Sequence, residues 1–178
     1  MIREIIIAGF GGQGVMSIGK SLVEAGVEEN LEVSWVPSYG PEMRGGEANC
    51  SVVLSDEMIG SPLVTAPSEL IAMNLPSLRR FEDAVLPGGC ILINSSIIKE
   101  ETNRTDIKVC KVPCDEIALE LGNSKVANMV MLGAYVTATG VLKMETLQEM
   151  VMNMFTGRKA KLADLNMKAL ERGAACVQ

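Results

Sequence analysis

The chain has 178 residues, 48% of them apolar and only 3% aromatic. That is one domain's length with enough hydrophobic material for a full core, which excludes a disordered chain. Sixteen Lys and Arg against 22 Asp and Glu give a net charge of −6, the wrong sign for a nucleic-acid footprint, and so few aromatics leave no base-stacking platform. There is no histidine, which removes the commonest general base, the Ser-His-Asp and Cys-His nucleophile systems and most zinc catalysis.

In chain order, the start (Met1-Ile2-Arg3-Glu4-Ile5-Ile6-Ile7-Ala8) carries an acid and runs straight into glycines. It reads as a first strand over 4–8 rather than as a secretory signal. Val15, Ile18, Leu22, Ala25 and Gly26 share one face at helical spacing and predict a helix over 13–29. A second strand over 32–36, a turn-rich stretch over 37–46 and an alternating third strand over 47–54 follow. Residues 70–73 predict a short strand, and Pro76 suits the first turn of a brief helix through Phe81. Pro87-Gly88-Gly89 turns the chain into a strand over 90–94, another is expected over 108–112, and helical turns over 115–121 end at Gly122.

The C-terminal third is expected to be helical. Residues 126–142 carry no charge, yet include Asn128, Gly133, Thr137 and Gly140. They read as a buried helix, or one covered by another subunit, rather than as a membrane span. Leu147, Met150, Val151, Met154 and Phe155 form an apolar stripe, and a last helix over 161–172 is expected to stop at Gly173. Short apolar runs alternating with helices predict an α/β fold: a single Rossmann-like domain over 1–178, its largely parallel sheet flanked by helices. Five cysteines, an odd count without a CxxC pair, argue against a disulfide framework or a cluster-binding run, and place the protein in the cytoplasm.

Chemistry could sit at two glycine-bearing corners. Gly9-Phe10-Gly11-Gly12-Gln13-Gly14 satisfies G-x-G-x-x-G after a strand and before a helix, where free N–H groups can meet an anion. A full dinucleotide fingerprint also wants an acid at the end of strand two. Ser34-Trp35-Val36-Pro37-Ser38 offers none, and Glu32 lies at the wrong end. The motif therefore fits NAD incompletely, and a tight turn without ligand remains open. Gln13 offers a directed amide that a plain turn does not need. The second corner is Tyr39-Gly40-Pro41-Glu42-Met43-Arg44-Gly45-Gly46, at the edge where open α/β sheets bind ligands and partners. Arg44 beside paired glycines could fork onto a carboxylate or phosphate, or be an ordinary solvated loop residue. Among the 12 methionines, Met150, Met152 and Met154 cannot share one helix face, so some should meet another protein unless the core is merely Met-tolerant.

Taken together, the two corners at this spacing, with Asn128-Met129-Val130-Met131-Leu132-Gly133 further on, resemble the gamma subunit of 2-oxoacid:ferredoxin oxidoreductases over nearly the whole chain. The overall pattern is most similar to the 2-oxoglutarate branch, and the pyruvate, 2-ketoisovalerate and indolepyruvate branches share the motifs. The resemblance implies a subunit, not catalytic alone, of an enzyme that decarboxylates a 2-oxoacid on thiamine diphosphate with Mg2+. Electrons pass through iron–sulfur clusters to ferredoxin, and coenzyme A takes the acyl group. It implies that other chains hold the thiamine diphosphate and the clusters. Gly9, Gly11, Gly12, Gln13, Gly14, Tyr39, Glu42, Arg44, Gly45 and Gly46 would then face coenzyme A, cofactor or neighbouring subunits. The competing reading is a free-standing Rossmann-like NAD- or nucleotide-binding protein.

Overall fold

A computed structural model describes residues 1–39 and 46–177. Six strands form one sheet in the order β2-β3-β1-β4-β5-β6: β1 (Ile2–Phe10), β2 (Glu32–Tyr39), β3 (Glu47–Ser55), β4 (Glu69–Ala72), β5 (Cys90–Asn94) and β6 (Lys108–Val112). β1, β4, β5 and β6 pair in parallel, while β3 runs antiparallel to both β1 and β2. β2 therefore points the same way as β1, and β3 alone is reversed. The connection over 40–46 explains the reversal, since it is too short for the crossover that a parallel pair requires. β3 then folds back between β2 and β1, and brings Gly46 beside the first glycine corner: the Gly11 N–H donates to the Gly46 carbonyl at 2.9 Å.

Among the described residues six α-helices cover the sheet: α1 (Val15–Glu28), α2 (Leu75–Phe81), α3 (Cys114–Glu120), α4 (Ala127–Thr139), α5 (Met144–Met154) and α6 (Ala160–Ala175). α1 buries Val15, Ile18 and Leu22 on one face of the sheet, in a cluster that α4, α5 and α6 complete. Leu78 of α2 and Val85, with Ile98 from a loop, cover part of the other face. α4 is apolar all round because it is buried all round, packed on β5 and β6 and covered by α1, α5 and α6. It is too short to span a membrane, and among the described residues no helix is long and apolar enough to do so.

The last helix departs from the sequence expectation. It continues through Gly173 to Ala175. Gly173 is buried where α6 crosses α4, and a Cβ there would run into the Val130 carbonyl. Gly133 mirrors it on α4, where a Cβ would meet the Leu170 carbonyl. The two glycines let the helix backbones touch, so Gly173 serves packing and not termination. Gly122, by contrast, stands just past α3 at φ +86° and does end that helix.

Candidate functional site

β1 delivers the chain to the carboxyl edge of the sheet, and α1 leaves from there onto one face. β4, its parallel neighbour, leads into α2 on the opposite face. That divergence is the switch point at which open α/β sheets leave a crevice for ligands. The first glycine corner occupies it. Gly12 and Gly14 sit at φ +97° and +77°, conformations that side chains rarely adopt, and Gly14 is the N-cap of α1. Among the described residues no side chain caps that first turn, and no acid lies in it. Its N–H groups and the positive end of the helix dipole therefore face outward, an arrangement that favours an anion by about 0.3–1 kcal/mol.

Gln13 is used inside the protein. Its Oε1 accepts from the Phe10 N–H at 2.6 Å and the Asn74 Nδ2 at 3.3 Å, and its Nε2 donates to the Met73 carbonyl at 3.0 Å. Asn74 in turn caps α2 by accepting from the Ser77 N–H at 2.9 Å. One amide thus ties the glycine turn to the end of β4. Gly9 is buried in the last turns of β1, with Met73 and Val15 against it.

Two clefts open on either side of α1's first residues. One, of about 300 Å³, lies toward β2 and β3 and is lined by Phe10, Gly11, Gly12, Met16, Tyr39 and Ala48. Tyr39, the last residue of β2, is about half exposed and forms its outer wall. The other, of about 400 Å³, lies toward α3 and α4 and is lined by Gly12, Gly14, Ser17, Asp115, Lys125 and Asn128. Asp115 is held there by Asn94, a fully buried residue ending β5, whose Nδ2 donates to its Oδ2 at 2.7 Å. The structure thus gathers Gly11, Gly12, Gly14, Tyr39 and Gly46 at one edge. Glu42, Arg44 and Gly45 lie outside the described residues. Sequence reasoning did not single out Asp115, Lys125 or Ser17. Nothing local marks them, since the fold alone carries 115–128 to the mouth of α1. Asn128 stood in a segment that carried the family resemblance, but without a role.

The thiols do not converge on a cluster site. Cys50 and Cys114 are buried at different places, and burial pushes the Cys50 thiol up to about 11 and Cys114 well above its ordinary value. Cys90 and Cys110 neighbour each other on β5 and β6, and Cys176 is exposed. Among the described residues no three His, Cys, Asp or Glu side chains come together as a metal site. This donor set does not fit an iron–sulfur cluster, which takes four ligands.

Comparison with known proteins places this architecture. The chain is 44% identical over 173 residues to the ketoisovalerate oxidoreductase subunit VorA of Methanothermobacter thermautotrophicus, covering 96% of this chain and 35% of VorA. It therefore spans about a third of that relative's length. It is 38% identical over 160 residues to the 2-oxoglutarate synthase subunit KorC of Methanothermobacter marburgensis, covering 86% of each. The crystal structure of a keto/oxoacid ferredoxin oxidoreductase gamma subunit from Geobacter sulfurreducens superimposes with a TM-score of 0.83 at 26% identity, over 98% of both chains. Residues 4–176 match the family model for pyruvate ferredoxin/flavodoxin oxidoreductase, and the chain, with its glycine corner at the switch point of a six-stranded sheet, belongs to that family.

Proposed function

We propose that this chain is the gamma subunit of a multi-subunit, thiamine-diphosphate-dependent 2-oxoacid:ferredoxin oxidoreductase, and that the mouth of α1 forms part of its coenzyme A pocket. One observation carries the second half: the uncapped first turn of α1 opens into two clefts at once, with Lys125 and Asn128 beside it. Coenzyme A is rich in phosphate, and free N–H groups at a helix N-terminus with a nearby lysine suit phosphate oxygens. Arg44 and Glu42, which stand between β2 and β3 in sequence, would add a charged pair to this pocket or to its contact with a neighbouring subunit.

The need for partners is supported by the two kinds of relative. The same unit makes up most of KorC and about a third of VorA, so it occurs both nearly alone and built into a longer chain. The residues here do not fit a cluster, and the iron–sulfur clusters, like thiamine diphosphate and its Mg2+, would be held by partner chains. The 2-oxoacid is 2-oxoglutarate or a branched-chain 2-oxoacid, and its selection belongs to the thiamine-bearing partner. Five unpaired thiols fit a reducing compartment, the cytoplasm.

The test is reconstitution of the complex with Arg44→Ala or Lys125→Ala. The expected result is a rise of about tenfold in the KM for coenzyme A, the size of a lost charge-assisted contact. Decarboxylation of the 2-oxoacid in the absence of coenzyme A should stay at its original rate. Unchanged KM values in both variants would remove the coenzyme A role. Failure of the tagged chain to copurify with thiamine-diphosphate-binding and iron–sulfur subunits would remove the subunit reading, and nucleotide turnover by the lone chain would replace it with the free-standing alternative.

A further inference from the structure

A second groove lies away from the glycine corner, between the C-terminal half of α1 and α5. It measures about 340 Å³ and is lined by Glu24, Glu28, Glu149, Met150, Asn153 and Met154. Its rim is acidic and its floor is thioether. Met150 is half-buried and Met154 is 54% exposed, one helical turn apart on the side of α5 that faces the groove. Of these acids, among the described residues, only Glu24 forms an ion pair, with an exposed Lys20 at 3.6 Å. Directly beyond the end of α5, the turn over 157–159 and the first residues of α6 present Arg158, Lys159 and Lys161, all exposed. Among the described residues, neither Glu28 and Glu149 nor these three cations enter an ion pair.

An unneutralised acidic groove beside an unneutralised basic turn is a self-complementary surface. A two-fold axis through the methionines would lay each copy's basic turn over the other copy's acidic groove, as an isologous contact requires. We propose that the α1–α5 groove is the contact face for a second copy of this chain, with Met150 and Met154, one helical turn apart on α5, packed at the axis and Arg158, Lys159 and Lys161 seated against Glu24, Glu28 and Glu149. Thioethers adapt their shape to what covers them, which suits them to the centre of such a contact, and the charges around them fix its register. This inference is independent of the coenzyme A reading, which concerns the other end of α1.

The experiment is sedimentation of the full chain with a charge exchange. The unaltered chain is expected to run as a dimer at about 0.05 M salt and to dissociate at about 1 M, where screening shortens to about 3 Å. The triple variant Glu24→Lys/Glu28→Lys/Glu149→Lys and the triple variant Arg158→Glu/Lys159→Glu/Lys161→Glu should each lose the dimer at low salt. An equimolar mixture of the two should regain it, because each then offers what the other lacks. Circular dichroism confirms that both variants are folded, as expected for surface positions. A monomeric unaltered chain, a dimer that survives either charge reversal, or a mixture that stays monomeric would each overturn the proposal. So would variants that keep the dimer yet fail to join partner subunits, because the groove would then belong to a different protein.

Discussion

Two pairs of glycines are used for opposite physical reasons. At the mouth of α1, Gly12 and Gly14 take positive φ, and among the described residues nothing lies within 4 Å of where a Gly12 Cβ would be. In the α4–α6 contact, Gly133 and Gly173 have ordinary helical backbones, and a Cβ at either would strike the facing helix's backbone. The first pair shapes an opening and the second closes one. In one place the missing side chain frees the backbone for a turn, and in the other it removes an atom from a contact. An open corner and a packed core can thus show the same residue type with nothing in common but its smallness.

Alanine scanning of the four positions tests that contrast. Gly173→Ala should be the most damaging, at about 3 kcal/mol or more, because the atom it meets is backbone and cannot swing away. In a chain of this size thermal denaturation should register a fall of roughly 6–12 °C in Tm. Gly133→Ala should act alike, and the double variant should cost less than the sum, since both force the same separation of the helices. Were Gly173→Ala tolerated within about 0.5 kcal/mol, α4 and α6 would not be in backbone contact. Gly14→Ala comes next, at about 2 kcal/mol. It pays for a left-handed conformation and crowds Asn128, whose Cβ lies 2.6 Å from the added atom. Urea denaturation measures it, and Asn128→Gly, which removes the facing Cβ, should relieve the crowding while Asn128→Ala, which keeps it, should relieve less.

Gly12→Ala sharpens the comparison from the other side. Its φ of +97° costs about 1 kcal/mol, while no described residue lies within 4 Å of its methyl group. It should fold nearly normally, yet weaken coenzyme A in the reconstituted complex, as a KM measurement would show. Gly60→Ala is the smallest effect and the control. Nothing lies near its Cβ and its φ is unexceptional, so the change should be neutral or stabilise by about 0.4–1 kcal/mol through the unfolded chain. A loss of stability there would mean that substitution of any glycine in this chain is costly, and the contrast would lose its meaning.

β5 and β6 were legible to the residue, because Pro87-Gly88-Gly89 fixes the entry to one and short apolar runs bound both. The all-apolar α4 was legible too, since no polar stripe interrupts it. The reversal of β3 was not, because alternation says which residues face inward but not which way the strand points. Gly173 misled for a related reason. A glycine near a helix end signals a stop when it takes positive φ, as Gly122 does, and signals contact when it does not, and one sequence cannot say which. At the site, the glycine turn was legible from its spacing. The work of Gln13 was not, because its partners Met73 and Asn74 are some sixty residues away and only the β1–β4 pairing brings them close.

The backward run of β3 has a consequence for how this edge can vary. Both stalks of the 40–46 connection are anchored in a continuous ladder, with Tyr39 opposite Ala48, and in the Gly11–Gly46 bond. A segment clamped at both ends can change length at an entropic cost of only about 0.6 kcal/mol per doubling. The two anchored ends therefore fix where the 40–46 connection starts and finishes, beside the glycine turn, whatever residues it carries between them.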